Sequence, residues 1–281
     1  MENLGFSTFT MIGHDRGGRV SYRMALDHPK KIERLAVFDV IPILEAWNRS
    51  DARFAKTYWP WILLSQKEPL PESYLLGAPE AVFHNPFGEG SFGPEILMEY
   101  LATFRDPTRV HSICEEYRAA ATVDVEHDRA DQEASKRIEC PMLHLWAEEG
   151  PLDTFYAKDG GPLGIWRQWA PRAQGQAMKG GHFFLEENLT VRRPSLSSSS
   201  RHKAFIAEGE TVSRTNSSRG RLPIGHASYG WGLIALEEAR KVLSLHRPPS
   251  EPALIHIFLP LMAVSVVMLS IGKEEDAPIN G

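Results

Sequence analysis

The chain has 281 residues, 42% of them apolar and 24% charged, which suffices for one substantial hydrophobic core and describes a globular protein over its first two thirds. A formal charge of -5 without any Lys/Arg block excludes a polyanion-binding surface, so nucleic acid is not an expected partner and a small molecule is. Cys114 and Cys140 have neither metal-ligand nor disulfide-framework spacing, and residues 1–5 lack a secretory pattern, so we expect a cytoplasmic protein with no metal or other cofactor.

In chain order, Phe6 to Ile12 is a short apolar, β-branched run that ends in Gly13-His14-Asp15-Arg16-Gly17-Gly18, and Arg19 to Asp27 continues with helical spacing. The pattern predicts strand, sharp turn, helix. Leu35 to Val40 reads as a buried parallel strand with Asp39 near its end, and Met142 to Ala147, after Pro141, as another. Such runs alternating with helical segments, including Gly164 to Trp169, predict an α/β fold with a parallel sheet, whose sites sit at the carboxyl ends of the strands. The Trp-, Tyr- and Phe-rich insert from about 41 to 138 has the character of a helical cap.

Residues 190–230 are Ser/Arg-rich and without period, which predicts a disordered linker after a domain spanning 1–189. In the tail, 231–281, residues 231–245 have the pattern of a short amphipathic helix. The 19 residues 253–271 carry no Asp, Glu, Lys or Arg, nearly the length of a membrane-spanning helix. Pro260 and His256 oppose a span, whereas Arg240, Lys241 and Arg247 would orient one. The alternatives are a buried helix or a tail that does not fold.

A strand-to-helix elbow lifts a nucleophile clear of the sheet, with small residues two positions to either side, as Gly13 and Gly17 stand around Asp15. Where such an elbow presents Ser, carbonyls are attacked; an aspartate there favours displacement at a saturated carbon, leaving an ester that water can open. The water needs a general base, and the base needs an acid to hold its tautomer. Among eleven histidines, His182 in Gly180-Gly181-His182-Phe183-Phe184 is the one in a late, Gly-flanked turn. His28, His84, His111, His127 and His144 read as structural. Asp39 and Asp153 compete for the orienting role, and Asp39 is preferred.

Taken together, His14-Asp15-Arg16-Gly17-Gly18-Arg19, Leu35 to Pro42, Tyr58-Trp59-Pro60-Trp61, Cys114-Glu115-Glu116-Tyr117-Arg118-Ala119 and Gly181-His182-Phe183 resemble the successive motifs of the haloacetate (fluoroacetate) dehalogenase family of α/β-hydrolases. The resemblance covers roughly residues 1–189. It implies Asp15 as nucleophile, His182 as base and Asp39 as its orienting acid. It implies Arg16 and Arg19 as a clamp for a substrate carboxylate, and Trp61 and Tyr117 as donors to the departing halide.

The chain departs from that pattern twice. Pro60 stands where the fluoroacetate-cleaving members carry a histidine, so chloro- or bromo-substituted acids are expected over fluoroacetate. Only fourteen residues precede Asp15, so an incomplete α/β-hydrolase sheet is expected, lacking its first strands and one oxyanion donor, with a chain that is poorly folded or inactive by itself. Two other readings stand beside the dehalogenase. One is an epoxide hydrolase using cap tyrosines from among Tyr58, Tyr74, Tyr100 and Tyr117; the other is a non-catalytic remnant attached to a membrane through 253–271.

Overall fold

The computed structural model describes residues 1, 6–84, 94–185, 187, 253–258 and 265–270. The expected linker 190–230 and the helix expected over 231–245 lie outside them. The chain opens with β1 (Phe9–His14), α1 (Arg16–Asp27) and β2 (Ile32–Phe38). Cap helices follow: α2 (Ile43–Asn48), α3 (Ala52–Thr57), α4 (Trp59–Leu64), α5 (Leu70–Gly77), α6 (Pro79–His84), α7 (Pro94–Phe104), α8 (Pro107–Ala120) and α9 (Val123–Glu133). The chain then returns to the sheet through β3 (Met142–Ala147), α10 (Pro151–Phe155), a 3-10 turn at Ala157–Asp159, α11 (Gly161–Trp169) and β4 (Gln174–Met178).

Strands β1 to β4 are parallel neighbours, in the order β4-β3-β2-β1. β1 is buried along its whole length, with α1 packed against it. Helix α1 turns Ser21, Tyr22, Ala25 and Leu26 inward at helical spacing. It lies close on the sheet because Gly18 has no side chain: a Cβ there would stand 2.9 Å from Val40 Cγ2 and 3.0 Å from Val37 Cγ1.

The stretch 253–271 corrects one expectation. No helix is found in its described part; β5 (Ala253–Phe258) and β6 (Ser265–Ser270) are antiparallel strands, and β6 pairs antiparallel with β1, Thr10 opposite Leu269 and His14 opposite Ser265. Ile- and Val-rich segments on either side of Pro260 favour extended backbone, and the free edge of β1 has N–H and C=O groups that a partner strand satisfies. Among the described residues no helix is long and apolar enough to cross a membrane.

The cap is tied to the sheet domain by buried carboxylates. Asp128 of α9 accepts from Tyr22 Oη at 2.8 Å, from Arg23 at 3.3 Å and from the backbone N–H of Leu44 at 3.1 Å. Glu45 of α2 accepts from Trp169 Nε1 at 2.9 Å and also bonds Gln132 and Arg49.

Candidate active site

β1 ends at His14, and Asp15 takes φ 47°, ψ -117° before the helix begins. A non-glycine residue seldom adopts this geometry; it persists here because the strand before and the helix after are both fixed by packing. Gly13 makes room for the turn, since a Cβ on it would lie 2.2 Å from the carbonyl oxygen of Gly17 and 2.5 Å from Ser21 Oγ. One strand over, Asp39 follows β2 with φ 49°. Because His14 pairs with Phe38 in register, the two aspartates emerge side by side at the carboxyl end of the sheet.

His182 reaches them from the turn after β4. Its Nδ1 lies 2.6 Å from Asp39 Oδ2 and its Nε2 3.7 Å from Asp15 Oδ2. The other oxygen of Asp39 accepts the Ala147 N–H at 2.9 Å, so the carboxylate is held at both ends. An imidazole donating Nδ1–H to a fixed carboxylate presents Nε2 toward Asp15. Gly180, at φ 114°, allows the turn, and Gly181 N–H donates to Glu187 Oε2 at 2.6 Å. The competing acid, Asp153, is occupied elsewhere, accepting from Trp146 Nε1 at 2.8 Å and the Glu149 N–H at 3.2 Å.

Burial alone would raise the Asp15 carboxyl, but the His182 hydrogen bond and charge, with Arg19 beyond, hold it well below the usual carboxylate range. Burial likewise opposes protonation of His182, and the hydrogen bonds and charges of Asp15 and Asp39 override it, pushing the imidazole up to about 10. The resting arrangement is therefore an imidazolium between two carboxylates.

A cavity of about 400 Å³ opens over Asp15, lined by Arg19, Asp39, Tyr58, Trp61, Tyr117 and His182, among others. The guanidinium of Arg19 lies 4.2 Å from the Trp61 ring centroid and donates to the Ile41 carbonyl at 3.3 Å, while its Nε has no acceptor among the described residues. Arg16 differs from its expected place beside Arg19. It is absent from the cavity wall, bonds Glu116 Oε2 at 3.0 Å and sits 4.3 Å from the Tyr117 ring centroid, with Nη1 buried and unpartnered among the described residues. Arg16 and Arg19, three positions apart on α1, start only about 60° apart around the helix, and it is the ion pair with Glu116 of α8 that draws Arg16 away from Arg19. The Trp61 N–H and Tyr117 O–H find no acceptor among the described residues.

Of the four cap tyrosines singled out, Tyr58, Tyr100 and Tyr117 line the cavity, but Tyr74 is 41% exposed and packs edge-on against Trp59 outside it. Tyr156, which the sequence reading missed, is on the wall instead. So is Pro60. Glu116 was also overlooked as a partner of Arg16, although it directly precedes Tyr117 in the quoted motif. His144 is buried on β3 with Nδ1 2.9 Å from the Val37 carbonyl, a structural position. Among the described residues no group of three or more His, Cys, Asp or Glu could hold a metal ion.

No protein-family model matches the chain. Over 195 residues it is 36% identical to a fluoroacetate dehalogenase from a Burkholderia species, an alignment covering 66% of this chain and 61% of the relative. A soluble epoxide hydrolase from a Corynebacterium species is 25% identical over 200 residues, covering 66% of this chain and 65% of that one. Among solved structures, a protein from Pseudomonas aeruginosa provisionally named an epoxide hydrolase is 40% identical with a TM-score of 0.61, over 66% of this chain and 62% of its own. A provisionally named α/β hydrolase from a Nostoc species is 38% identical with a TM-score of 0.62, over 68% and 65% of the respective chains. The chain thus spans about three-fifths of the length of the curated dehalogenase it matches.

Proposed function

We propose that this chain is a haloacetate dehalogenase-like α/β-hydrolase and that it hydrolyses the carbon–halogen bond of a small 2-haloacid through an ester on Asp15. The observation that carries the reading is the pairing, on one cavity wall, of an ionised aspartate and an arginine with an uncommitted N–H. Arg19 holds the substrate carboxylate, and Asp15 attacks the adjacent carbon from the side opposite the halogen. The carbon–halogen bond breaks with its electron pair going to the halide, which the Trp61 N–H and Tyr117 O–H receive. Arg16, bound to Glu116 and stacked on Tyr117, supports that donor wall from behind.

Esterification removes the Asp15 charge, and with it one of the two carboxylates that hold the proton on His182. The imidazole then gives up that proton to solvent more readily and serves as base. Water attacks the ester carbonyl and loses its proton to His182 Nε2; the tetrahedral intermediate collapses as His182 returns that proton to the departing alkoxide, giving the 2-hydroxy acid, and the proton remaining on the Asp15 carboxyl passes to His182. Asp39 keeps Nδ1 protonated throughout and offsets the charge on the ring.

The test is trapping. With His182→Ala, chloroacetate should add a carboxymethyl group to the peptide carrying Asp15, visible as a mass increment, with one equivalent of chloride released. No increment with any haloacid or epoxide would remove the covalent mechanism. Chloride and bromide are expected to leave far faster than fluoride, since Pro60 adds no donor for the most demanding halide. A second reading, epoxide opening, rests on the Tyr58, Tyr117 and Tyr156 hydroxyls of the same wall. Styrene oxide assayed beside chloroacetate separates the two.

A further inference from the structure

The catalytic scheme above leaves out His14, the last residue of β1 and the immediate neighbour of Asp15. It is 1% exposed, which is costly for an imidazole without a purpose. Its Nε2 lies 2.8 Å from the backbone carbonyl oxygen of His182. A carbonyl only accepts, so the His14 ring carries its proton on Nε2 and donates. The two imidazoles also touch, with ring centroids 4.7 Å apart and planes inclined by 42°, and Phe183 and Phe184 close over His14 edge-on at 5.9 and 6.3 Å.

The turn that carries His182 therefore has two anchors on the sheet: Asp39 takes the ring, and His14 takes the backbone. A hydrogen bond to Nδ1 fixes one end of the ring but leaves the imidazole free to swing about it together with its Cα. Fixing the carbonyl of the same residue removes that freedom. We propose that His14 is a positioning residue for the general base, holding the backbone of His182 so that Nε2 stays over the Asp15 carboxylate. Among the described residues, the groups facing His14 include His182, Asp15, Asp39 and the two phenylalanines. Burial, followed by the charge on His182, lowers the His14 pKa to about 4, so the ring is neutral beside the resting imidazolium and keeps its single donor aimed at the carbonyl.

The inference rests on the proposed role of His182 and makes a prediction specific to one step. Displacement of halide by Asp15 does not use His182 as a base; hydrolysis of the ester needs His182 in place. Loosening His182 should slow the second step and spare the first. His14→Met removes the donor at nearly constant volume, whereas His14→Gln keeps an N–H.

With chloroacetate, His14→Met should release about one equivalent of chloride in a burst and then turn over up to about 100-fold more slowly than the parent, the loss expected for a displacement of about 1 Å. His14→Gln should recover most of the steady rate. In the resting protein, the downfield proton resonance of His182 Nδ1–H, identified by its loss in His182→Gln, should shift or broaden in His14→Met and return in His14→Gln. That resonance is read without substrate, so a chain that releases no halide at all would count against the dehalogenase reading and leave the positioning role to be decided by the spectrum. An unmoved resonance in His14→Met, or full steady-state turnover without a burst, would overturn the proposal.

Discussion

The cap meets the sheet domain at two junctions of opposite character. Where α9 and α2 dock on α1 and α11, the buried carboxylates of Asp128 and Glu45 each collect several donors, and Tyr22 both donates to Asp128 and accepts the Ile43 N–H at 3.1 Å. Where α4 and α8 close over Asp15, the donors outnumber the acceptors: Arg19 Nε, the Trp61 N–H and the Tyr117 O–H stand at the cavity wall, and Arg16 Nη1 is buried behind it, none with a partner among the described residues. A buried donor left unpaired costs about 1–3 kcal/mol, so the second arrangement is retained against a stability cost. The first junction spends its polar groups on attachment. The second leaves them uncommitted among the described residues.

Substitutions should divide along that line. The largest effect is expected from Asp39→Asn, which keeps an acceptor for the Ala147 N–H but disturbs the His182 tautomer; kcat for haloacid hydrolysis should fall about 10⁴-fold in steady-state assays. Next, Trp61→Phe preserves a ring beneath Arg19 and deletes one N–H, and should cost about 10²–10³ in kcat with chloroacetate. If activity survives either change, the donor-rich junction is not where the chemistry occurs.

Tyr22→Phe probes the saturated junction. It removes one donor from buried Asp128 and should lower unfolding free energy by about 1–3 kcal/mol in a denaturant titration, with kcat intact. A matching loss of kcat would show that the two junctions are coupled. The mildest effect is a pH slope. The folded-state pKa of His182, about 10, exceeds the ordinary value of 6.5, so the stability it contributes is full below about 6.5 and is lost as pH rises through about 10. Thermal melts should decline across that window in the parent and be flatter in His182→Gln.

Parts of this arrangement are legible in the chain. The turn after β1 could be read because strand, small residues and helix lie within about twenty consecutive positions, and Met142 to Ala147 is found with the bounds its apolar run predicts. The motif resemblance pointed to Asp15, Asp39, Arg19, Trp61, Tyr117 and His182, which the structure gathers around one cavity. Arg16 did not follow, because its direction depends on Glu116, 100 positions away. The stretch 253–271 misled for a related reason: hydrophobicity measures what avoids water, and pairing with the open edge of β1 is invisible until β1 has a place in the sheet.

What the sequence determined by itself is thus local and chemical: where the chain turns, which segments are buried, and which side chains have the reactivity for displacement and hydrolysis. Period, turn residues and functional groups act over short spans and survive without any knowledge of the whole. Only the tertiary structure put Asp39 at His182 Nδ1 and engaged Asp153 with Trp146, exchanged Tyr74 for Tyr156 on the cavity wall and brought His14 against the backbone of His182. Those choices depend on which strands lie adjacent and which donors are already taken, and hydrogen bonds between residues 143 and 168 positions apart exist only once the sheet has set their directions.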